Sequence, residues 1–456
     1  MKYYIDLGKK LFPLNRSITG AGTLKTIKIL IKENDLIKLK KIKCGTKAFD
    51  WKVPSEWSLK EAYIRDKYGK KIVDFKNNNL HLVSYSRKIK KKITLEELLK
   101  KIHSLPKNIK AIPYKTSYYR KDWGFCISEN FKRKIIKKYN KTDLFHININ
   151  SKFNVNGYMN YGEAYIPGKS KEEILISTYI CHPSMANNEL SGPLLSLALL
   201  NFFSKKKNKK SLRFVFVPET IGAISYIGKN YKKLKKNVIG GFVLSCVGDN
   251  KNYSYIETKY GNSISDLAIK RAFKSKKIKH KIYSFLERGS DERQYNSSGV
   301  DIPMVTLMRS KFGTFKEYHT SLDNFNIVTS KGLAGSFKIA KESINNLINY
   351  KINENENIKK VYIKKNKVIS KIKCEPFLEK RLLYPKYGMA NIFGTSSNEL
   401  KSESNKRVFV QQLLDFMQYS DGNNNLKNVS KFIKLPLSKT KQIFYFLKKL
   451  KMVRIN

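Results

Sequence analysis

The sequence predicts an α/β protein built on a mostly parallel, doubly wound sheet. Between about residues 140 and 350, apolar runs such as EEILISTYI, LRFVFVP and IPMVTLM alternate with amphipathic runs such as SYIGKNYKKLKK. Parallel strands that are buried on both faces read as continuous apolar runs, and their alternation with helices is typical of a sheet covered on both sides. Ligands bind such sheets beyond the carboxyl ends of the strands. The residues that follow each strand are therefore the first candidates for a functional site.

The region before this sheet has a different pattern. Apolar positions of TLKTIKILIKEN recur at helical spacing, so the first forty residues are predicted to be helical, with Ser17 or Thr19 as the cap. From Phe49 to Ser86, short strand-like pieces with a turn at residues 76–79 predict a small β-rich module. TLEELLKKIHSL then predicts a short helix with Thr94 as its N-cap.

The C-terminal fifty residues are predicted to form a separate unit. FVQQLLDFMQYS, LKNVSKFI and LSKTKQIFYFLKKLKMV predict three helices, the last capped by Ser438, and VRIN predicts a final strand. Three helices and a strand indicate a winged-helix domain over residues 408–456. The polar, irregular residues 355–407 are predicted to be a linker.

Composition excludes several classes of protein. The net charge of +55 is carried mostly by Lys spread along the chain, in a sequence that is also rich in Ile and Asn. Codon bias explains this pattern better than nucleic-acid recognition, which usually relies on clustered Arg, so no specific nucleic-acid partner is predicted. No apolar run of about 18 residues predicts a membrane span, and Pro13 and Arg16 interrupt any secretory core, so a cytoplasmic protein is expected. The five cysteines form no CxxC pair, which argues against a disulfide framework.

Side chains suited to metal binding and acid–base chemistry follow the predicted strands in order. They are His182 and Glu189, then Glu219, then Asp249, then Asp291 and Arg293, and finally Tyr318 and His319. A catalytic zinc needs about three N/O ligands and an open position for water, and a carboxylate beside that water can act as general base. Taken singly, each of these residues could instead be a helix cap or a hydrogen-bonded loop residue. Their common placement at strand ends favours a site.

Six strings carry a resemblance to a known family: PLNRSITG, SLPKNIKAIPYKTSYYRKDWGFC, CHPSMANNELSGP, PETIGAI, RGSDERQY and EYHTSLD. Their order resembles that of the zinc aminopeptidases of peptidase clan MH. More closely, the chain resembles bacterial aminopeptidase-like proteins linked to polysaccharide-biosynthesis loci. This resemblance implies a zinc-aminopeptidase-like α/β/α catalytic domain (residues 1–45 and 115–350), an inserted small β-rich domain (46–114) and the C-terminal winged helix.

The resemblance also implies roles for single residues. His182 and His319 match the terminal metal ligands, and Glu219 matches the glutamate that acts as general base. Asn188 stands where the clan has a metal-bridging Asp, and Thr220 where it has a ligand Glu. Because a neutral amide cannot bridge two cations as a carboxylate does, we predict a single zinc. The carboxylate that completes its ligands is expected to be Glu189 in the first place and Asp291 in the second.

Two further residues have two interpretations each. Arg293 could clamp a carboxylate or phosphate of the substrate, or form a structural ion pair with Asp291 or Glu292. Tyr318 could stabilise an oxyanion, or serve only in packing.

The functional prediction is a zinc-dependent hydrolase that cleaves an amide bond of a small amino-bearing molecule or peptide, linked to polysaccharide biosynthesis. One alternative is a catalytically inactive module that keeps the aminopeptidase fold for binding. Another is a DNA-binding regulator built on the winged helix, although Ile443, Phe444 and Leu447 are explained by core packing. No membrane partner is predicted, and a homo-oligomer is left open.

Overall fold

The computed structural model describes residues 1–351, 366–381, 383 and 400–456, and for residues 400–408 the backbone only. The helices of these ranges are α1 (Lys2–Leu11), α2 (Ala21–Glu33), α3 (Leu95–Leu99), α4 (Glu129–Lys138), α5 (Ser191–Phe203), α6 (Ile221–Asn237), α7 (Ile264–Ser275), α8 (Glu292–Tyr295), α9 (Ser330–Asn349), α10 (Leu400–Gln418), α11 (Leu426–Phe432) and α12 (Leu437–Lys449).

The strands of the same ranges are β1 (Lys38–Lys43), β2 (Lys47–Ala48), β3 (Trp51–Lys52), β4 (Glu56–Arg65), β5 (Lys71–Asp74), β6 (Ile89–Thr94), β7 (Ile102–His103), β8 (Phe125–Cys126), β9 (Leu144–Asn154), β10 (Tyr158–Ile166), β11 (Ser170–Tyr179), β12 (Lys210–Val217), β13 (Val238–Leu244), β14 (Ser254–Ile256), β15 (Lys281–Tyr283), β16 (Met304–Met308), β17 (Val368–Ser370) and β18 (Val453–Ile455).

The largest sheet has eight strands within the described residues, in the order β1-β10-β12-β11-β13-β16-β14-β15. Its centre, β12-β11-β13-β16, is parallel, as the apolar runs predict. On one side β10 is antiparallel to β12, and β1 is antiparallel to β10. On the other side β14 is antiparallel to β16. The α/β prediction is confirmed, and the antiparallel edges make the sheet mixed. The carboxyl ends of the four central strands share one edge, and the predicted site residues lie in the loops that follow these strands.

Helices cover both faces of this sheet. Leu194, Leu197 and other residues of α5 pack with α1, α7 and α9 in one apolar core. Residues of α6, such as Ile224 and Ile227, pack in a second core that extends into the small β-rich region. Helix α5 approaches the sheet closely at Gly192, where a Cβ would lie 2.5 Å from the carbonyl oxygen of Leu244 and 2.3 Å from Oγ1 of Thr178. Only glycine fits there, which explains the SG pair at the end of the CHPSMANNELSGP motif.

The N-terminal region is two helices and not one. Residues 12–20 separate α1 from α2, and the cap of α2 is Gly20, whose φ of 95° favours glycine. The two predicted cap residues bond elsewhere. The Ser17 hydroxyl lies 2.9 Å from that of Ser84, and the Thr19 hydroxyl 2.5 Å from that of Tyr85. The polar residues of PLNRSITG thus tie the N-terminal region to the small β-rich region.

That region is centred on a four-stranded sheet in the order β5-β4-β9-β6. Strand β9 pairs with both β4 and β6, so residues 144–154 belong to the small sheet, although the sequence analysis placed 115–350 in the catalytic domain. Phe145, Ile147 and Ile149 occupy alternate positions of β9 and are 0% exposed, so one face of the strand covers a core while its edges pair with β4 and β6. Thr94 caps α3 in a capping box with Glu97, as predicted.

The C-terminal helices α10, α11 and α12 pack around their own apolar core, which includes Phe416, Ile443 and Phe444. Strand β18 pairs antiparallel with β17, which precedes the helices in the chain. Helix α12 begins after Pro436, with no side-chain cap from Ser438. The winged-helix assignment stays a prediction. Of the predicted linker, residues 355–365, 382 and 384–399 lie outside the described residues.

All five cysteines are buried and free of disulfide bonds. Among the described helices, none combines the length and apolarity that crossing a bilayer requires.

Candidate active site

His182 lies three residues beyond β11, and it is 3% exposed. Its Nδ1 is 2.8 Å from Oε2 of Glu189, which belongs to a single π-helical turn, Ala186–Leu190. Burial lowers the pKa of His182, but the hydrogen bond to Glu189 and its charge outweigh burial, so the net shift is upward. Because Nδ1 is engaged, Nε2 is the nitrogen that faces the site, as in histidines whose outer nitrogen bonds a carboxylate.

Arg16 lies behind this pair and is fully buried. Its Nε is 3.5 Å from Oε1 of Glu189 and donates to the carbonyl oxygen of His182 at 3.1 Å. Nη1 donates to the carbonyl oxygen of Leu11. Arg16 therefore supplies the positive charge that balances Glu189. Arg16 lies within the PLNRSITG motif, but its pairing with Glu189 is not predictable from that motif alone.

Glu219 follows β12, and its Oε2 lies 3.7 Å from Nε2 of His182. Its other oxygen accepts a hydrogen bond from the Ser290 hydroxyl at 2.9 Å. Burial raises the pKa of Glu219, while the charges of His182 and then Arg293 oppose that shift. Glu219 is thus held at one oxygen and directed at the histidine with the other.

Asp291 precedes α8 and is completely buried. Oδ1 accepts the backbone N–H of Thr220 at 2.7 Å, whereas Oδ2 has no hydrogen-bond partner among the described residues. Burial and then the charge of Glu219 raise the pKa of Asp291 well above its usual range. A buried carboxylate oxygen without a partner is costly unless a proton or a cation accompanies it.

His319 comes to the same place from the loop after β16. Its ring centroid is 5.4 Å from that of His182, so the two predicted terminal ligands do meet. Burial, and then the neighbouring His182, lower the pKa of His319 well below its usual range, which keeps a nitrogen lone pair available. The Tyr114 ring lies 4.9 Å from that of His182 and 5.4 Å from that of His319. The sequence does not predict a place for Tyr114 in the site, because no metal-binding or acid–base pattern surrounds it.

Tyr318 and Arg293 line the same site. The Tyr318 ring stacks on His319 with centroids 3.9 Å apart. Nη2 of Arg293 donates to Oγ1 of Thr220 at 2.7 Å, and Nη1 is 3.3 Å from Oε2 of Glu375. The ion pair that the structure gives Arg293 is therefore with Glu375, and not with Asp291 or Glu292.

Four non-glycine residues in the loops after the central strands adopt left-handed backbone conformations: Ser184, Thr220, Cys246 and His319. Each such residue costs about 1–3 kcal/mol and persists only where its surroundings hold it. Such strain, repeated at one edge of the sheet, is typical of a functional site.

Asn188 and Asp249 both make hydrogen bonds to residues beside the site. Asn188 donates to the Tyr179 hydroxyl, while its Oδ1 has no partner among the described residues. Asp249 accepts hydrogen bonds from Asn187, Lys251 and Ser310. It therefore fixes loops beside the site.

Two groups of donor atoms meet at His182. Cys181, His182 and Glu189 offer ligand atoms within 4.8 Å of one another. That group, however, converges on Nδ1, which already bonds Glu189, and burial raises the pKa of the Cys181 thiol well above its usual value. We favour the opposite side of the ring, where Nε2 faces Glu219. The His319 ring lies beside that of His182, with centroids 5.4 Å apart, and imidazole nitrogens with a carboxylate oxygen are the mixed N/O donor set that zinc takes.

Comparisons with known proteins identify the family and the fold of the chain. A family model described as "Domain of unknown function (DUF4910)" matches residues 5–350. A Clostridium acetobutylicum protein, provisionally named a polysaccharide biosynthesis protein with an aminopeptidase-like domain, is 42% identical over 385 residues, covering 84% of this chain and 83% of that protein. The crystal structure of a provisionally named peptidase from Clostridium acetobutylicum shares 35% identity and a TM-score of 0.72, covering 100% of this chain and 96% of the other.

A zinc aminopeptidase from Bacillus subtilis shares 13% identity and a TM-score of 0.55, over 76% of this chain and 93% of the enzyme, which is a likeness of fold alone. The predicted resemblance to polysaccharide-linked aminopeptidase-like proteins is thereby confirmed. The chain belongs to the DUF4910 family, and its fold is similar to that of zinc aminopeptidases.

Proposed function

We propose that this protein is a metal-dependent, aminopeptidase-like hydrolase that cleaves an amide bond of a small amino-bearing substrate. One observation carries the proposal: Nε2 of His182 faces Glu219 at 3.7 Å, with the His319 ring beside it. Three loops that are distant in sequence thus place two imidazoles and a directed carboxylate at the carboxyl edge of a parallel sheet, where such folds bind ligands.

The proposal includes one zinc held by His182 Nε2 and His319, with Asp291 as the third ligand. Asp291 has to move toward the histidines when metal binds, since within the described residues the ligand atoms of these three do not lie within 4.8 Å of one another. The support for Asp291 is its buried Oδ2, which lacks a partner among the described residues. Glu189, the first choice from sequence, fits a different task, since its Oε2 accepts from Nδ1 of His182 and orients that ring. When bound there, zinc would lower the pKa of a water molecule and polarise the substrate carbonyl.

Glu219 fits the role of general base. The Ser290 hydroxyl holds Oε1, so Oε2 is the oxygen that takes a proton from the attacking water and returns it to the departing amine. Burial raises the pKa of this carboxyl, which strengthens it as a base, while His182 and Arg293 keep the charged form accessible. Tyr318 and Tyr114 close the walls around the two histidines and limit access of bulk water.

For the substrate, the name of the Clostridium relative points to polysaccharide biosynthesis. We propose an aminoacyl or N-acyl sugar intermediate, or a small peptide, as the amide that is cleaved.

Metal analysis tests the zinc site. After reconstitution and removal of loosely bound metal, we expect about one zinc per chain. The variants His182→Ala and Asp291→Asn should lose it, while His146→Ala, a matched change on strand β9 of the small sheet, should retain it. Equal zinc retention by wild type and His182→Ala would refute the site.

A substrate screen tests the reaction. Aminoacyl arylamides, dipeptides and N-acyl amino sugars are incubated with the zinc-loaded wild type and with Glu219→Gln. Removal of a general base should slow cleavage about 10²–10⁴-fold while zinc content is unchanged. A folded, zinc-free protein that cleaves none of these amides would favour a binding module.

A further inference from the structure

A carboxylate from beyond the family-matched residues 5–350 reaches the candidate site. Oε2 of Glu375 lies 3.3 Å from Nη1 of Arg293 and accepts a hydrogen bond from Nε2 of Gln294 at 3.0 Å. The backbone N–H of Glu375 donates to Oε1 of Gln294 at 2.9 Å. Glu375 is therefore held by both its backbone and its side chain.

The segment that carries Glu375 is anchored on two sides. Nε1 of Trp51 donates to the carbonyl oxygen of Glu375 at 2.7 Å, and the Trp51 and Phe377 rings stack with centroids 4.5 Å apart. Cys374 N–H donates to the Ser297 hydroxyl at 3.0 Å, just after α8. The small β-rich region and the catalytic domain thus fix the segment together. A structureless linker would not make these contacts.

Arg293 links Glu375 to the candidate base, Glu219. Its Nη2 donates to Oγ1 of Thr220, the residue directly after Glu219. Thr220 has a φ of 60° and a ψ of −78°, a strained conformation that needs to be held. Two contacts hold it: Arg293 at the hydroxyl and Asp291 at the backbone N–H.

We infer that Glu375 is a positioning residue of the active site, which fixes Arg293 and, through Thr220, the direction of Glu219. The inference rests on the proposed function for the role of Glu219. Both terminal nitrogens of Arg293 are already engaged, one with Glu375 and one with Thr220, so a substrate anion would have to displace one of them. The aminopeptidase-like core is accordingly completed by the C-terminal segment.

The first test measures how firmly Arg293 is held, and it needs no substrate. The Arg293 side chain is 19% exposed, so phenylglyoxal can reach it, and peptide mass spectrometry gives the rate of modification. Loss of a charge-assisted hydrogen bond in Glu375→Gln should speed modification about tenfold. Glu379→Gln is the matched control in the same segment, because Glu379 faces Arg120 at 3.7 Å and should leave the Arg293 rate unchanged. Equal Arg293 rates in wild type and Glu375→Gln overturn the inference.

The second test measures catalysis on an amide identified by the screen. Glu375→Gln should lower kcat about tenfold with little change in KM. Glu375→Asp, which keeps the charge, should recover part of kcat, and it also serves if Glu375→Gln does not fold. An unchanged kcat in Glu375→Gln, or no recovery in Glu375→Asp, contradicts the inference. If the wild type cleaves nothing, the proposed function fails, and the phenylglyoxal rates still decide whether Glu375 holds Arg293.

Discussion

Glu189→Gln would remove the charge that faces Arg16 while keeping the size of the side chain. Both side chains are 0% exposed, and Nε of Arg16 lies 3.5 Å from the carboxylate, so water cannot replace the lost partner. At an effective dielectric constant of about 20, two unit charges at this distance attract by about 5 kcal/mol. Breaking one side of a buried pair typically costs about 3–5 kcal/mol, because the other charge is left uncompensated. We expect a loss of unfolding free energy in that range.

Urea denaturation of Glu189→Gln, Arg16→Met and the double variant measures this pair. Because the double variant buries no lone charge, it should cost no more than either single variant. Zinc affinity, measured on the same proteins, should fall about 10–100-fold in Glu189→Gln, since His182 loses the carboxylate that orients it. Single-variant losses that simply add in the double variant would refute the pairing. Unchanged zinc affinity would refute the orienting role of Glu189.

Three further outcomes are expected. Ser290→Ala removes the hydrogen bond to Glu219 and should lower kcat about tenfold on any amide that the protein cleaves, whereas an unchanged kcat would show that Ser290 does not hold the base. Gly192→Ala places a Cβ 2.5 Å from the carbonyl oxygen of Leu244. This variant should lower the free energy of unfolding, measured in urea, by about 1–3 kcal/mol. An unchanged free energy of unfolding would show that α5 can move away from β13. Burial lowers the pKa of His103 from 6.5 to about 4, so between these values the unfolded chain binds more protons and stability falls as pH falls. In His103→Gln that part of the acid sensitivity should disappear from unfolding curves recorded at pH 4–7, and identical pH profiles would contradict it.

The sequence predicts the central strands of the large sheet well, because the burial of each strand is visible in its own short stretch of sequence. Strands β11, β12, β13 and β16 are mostly buried on both faces and therefore appear as largely apolar runs. The strand-end rule then places His182, Glu219 and His319 at one edge without any knowledge of distances. The edge strand β1 gave no such signal. Strand β1 is KLKKIK, a Lys-rich sequence that suits an exposed edge and reads as part of a helix.

Residues that act on the site from a distance could not be found in this way. Arg16 lies 166 residues before His182, and its motif also fits a helix cap. Glu375 lies in a polar stretch that is indistinguishable from a linker by composition. Arg16 and Glu375 each form an ion pair with a residue that is distant in sequence, Glu189 and Arg293 respectively. An ion pair of this kind leaves no periodic pattern in the sequence around either residue. An unexplained arginine within a recognised motif was the available signal for Arg16, whereas Glu375 had none.

Two residues differ from the metal ligands of the resembled clan, and both differences remove negative charge from the site. Asn188 replaces a carboxylate, and its amide group donates to the Tyr179 hydroxyl. Thr220 replaces a second carboxylate, and its hydroxyl accepts from Arg293. Each substitution exchanges an anionic metal ligand for a neutral group that the surrounding structure uses. The charge available to hold cations is therefore smaller by two.

The remaining charges set the number of cations that the site can hold. Glu189 is balanced by the buried Arg16, and Glu375 is balanced by Arg293. Glu219 and Asp291 then remain as two uncompensated carboxylates, whose charge a single divalent cation balances. A second divalent cation would be placed in a buried site with no carboxylate left to compensate it, and such a charge is strongly disfavoured. We therefore expect zinc binding to saturate at one ion per chain, and a measured stoichiometry of two would show that the arginines move away when metal binds.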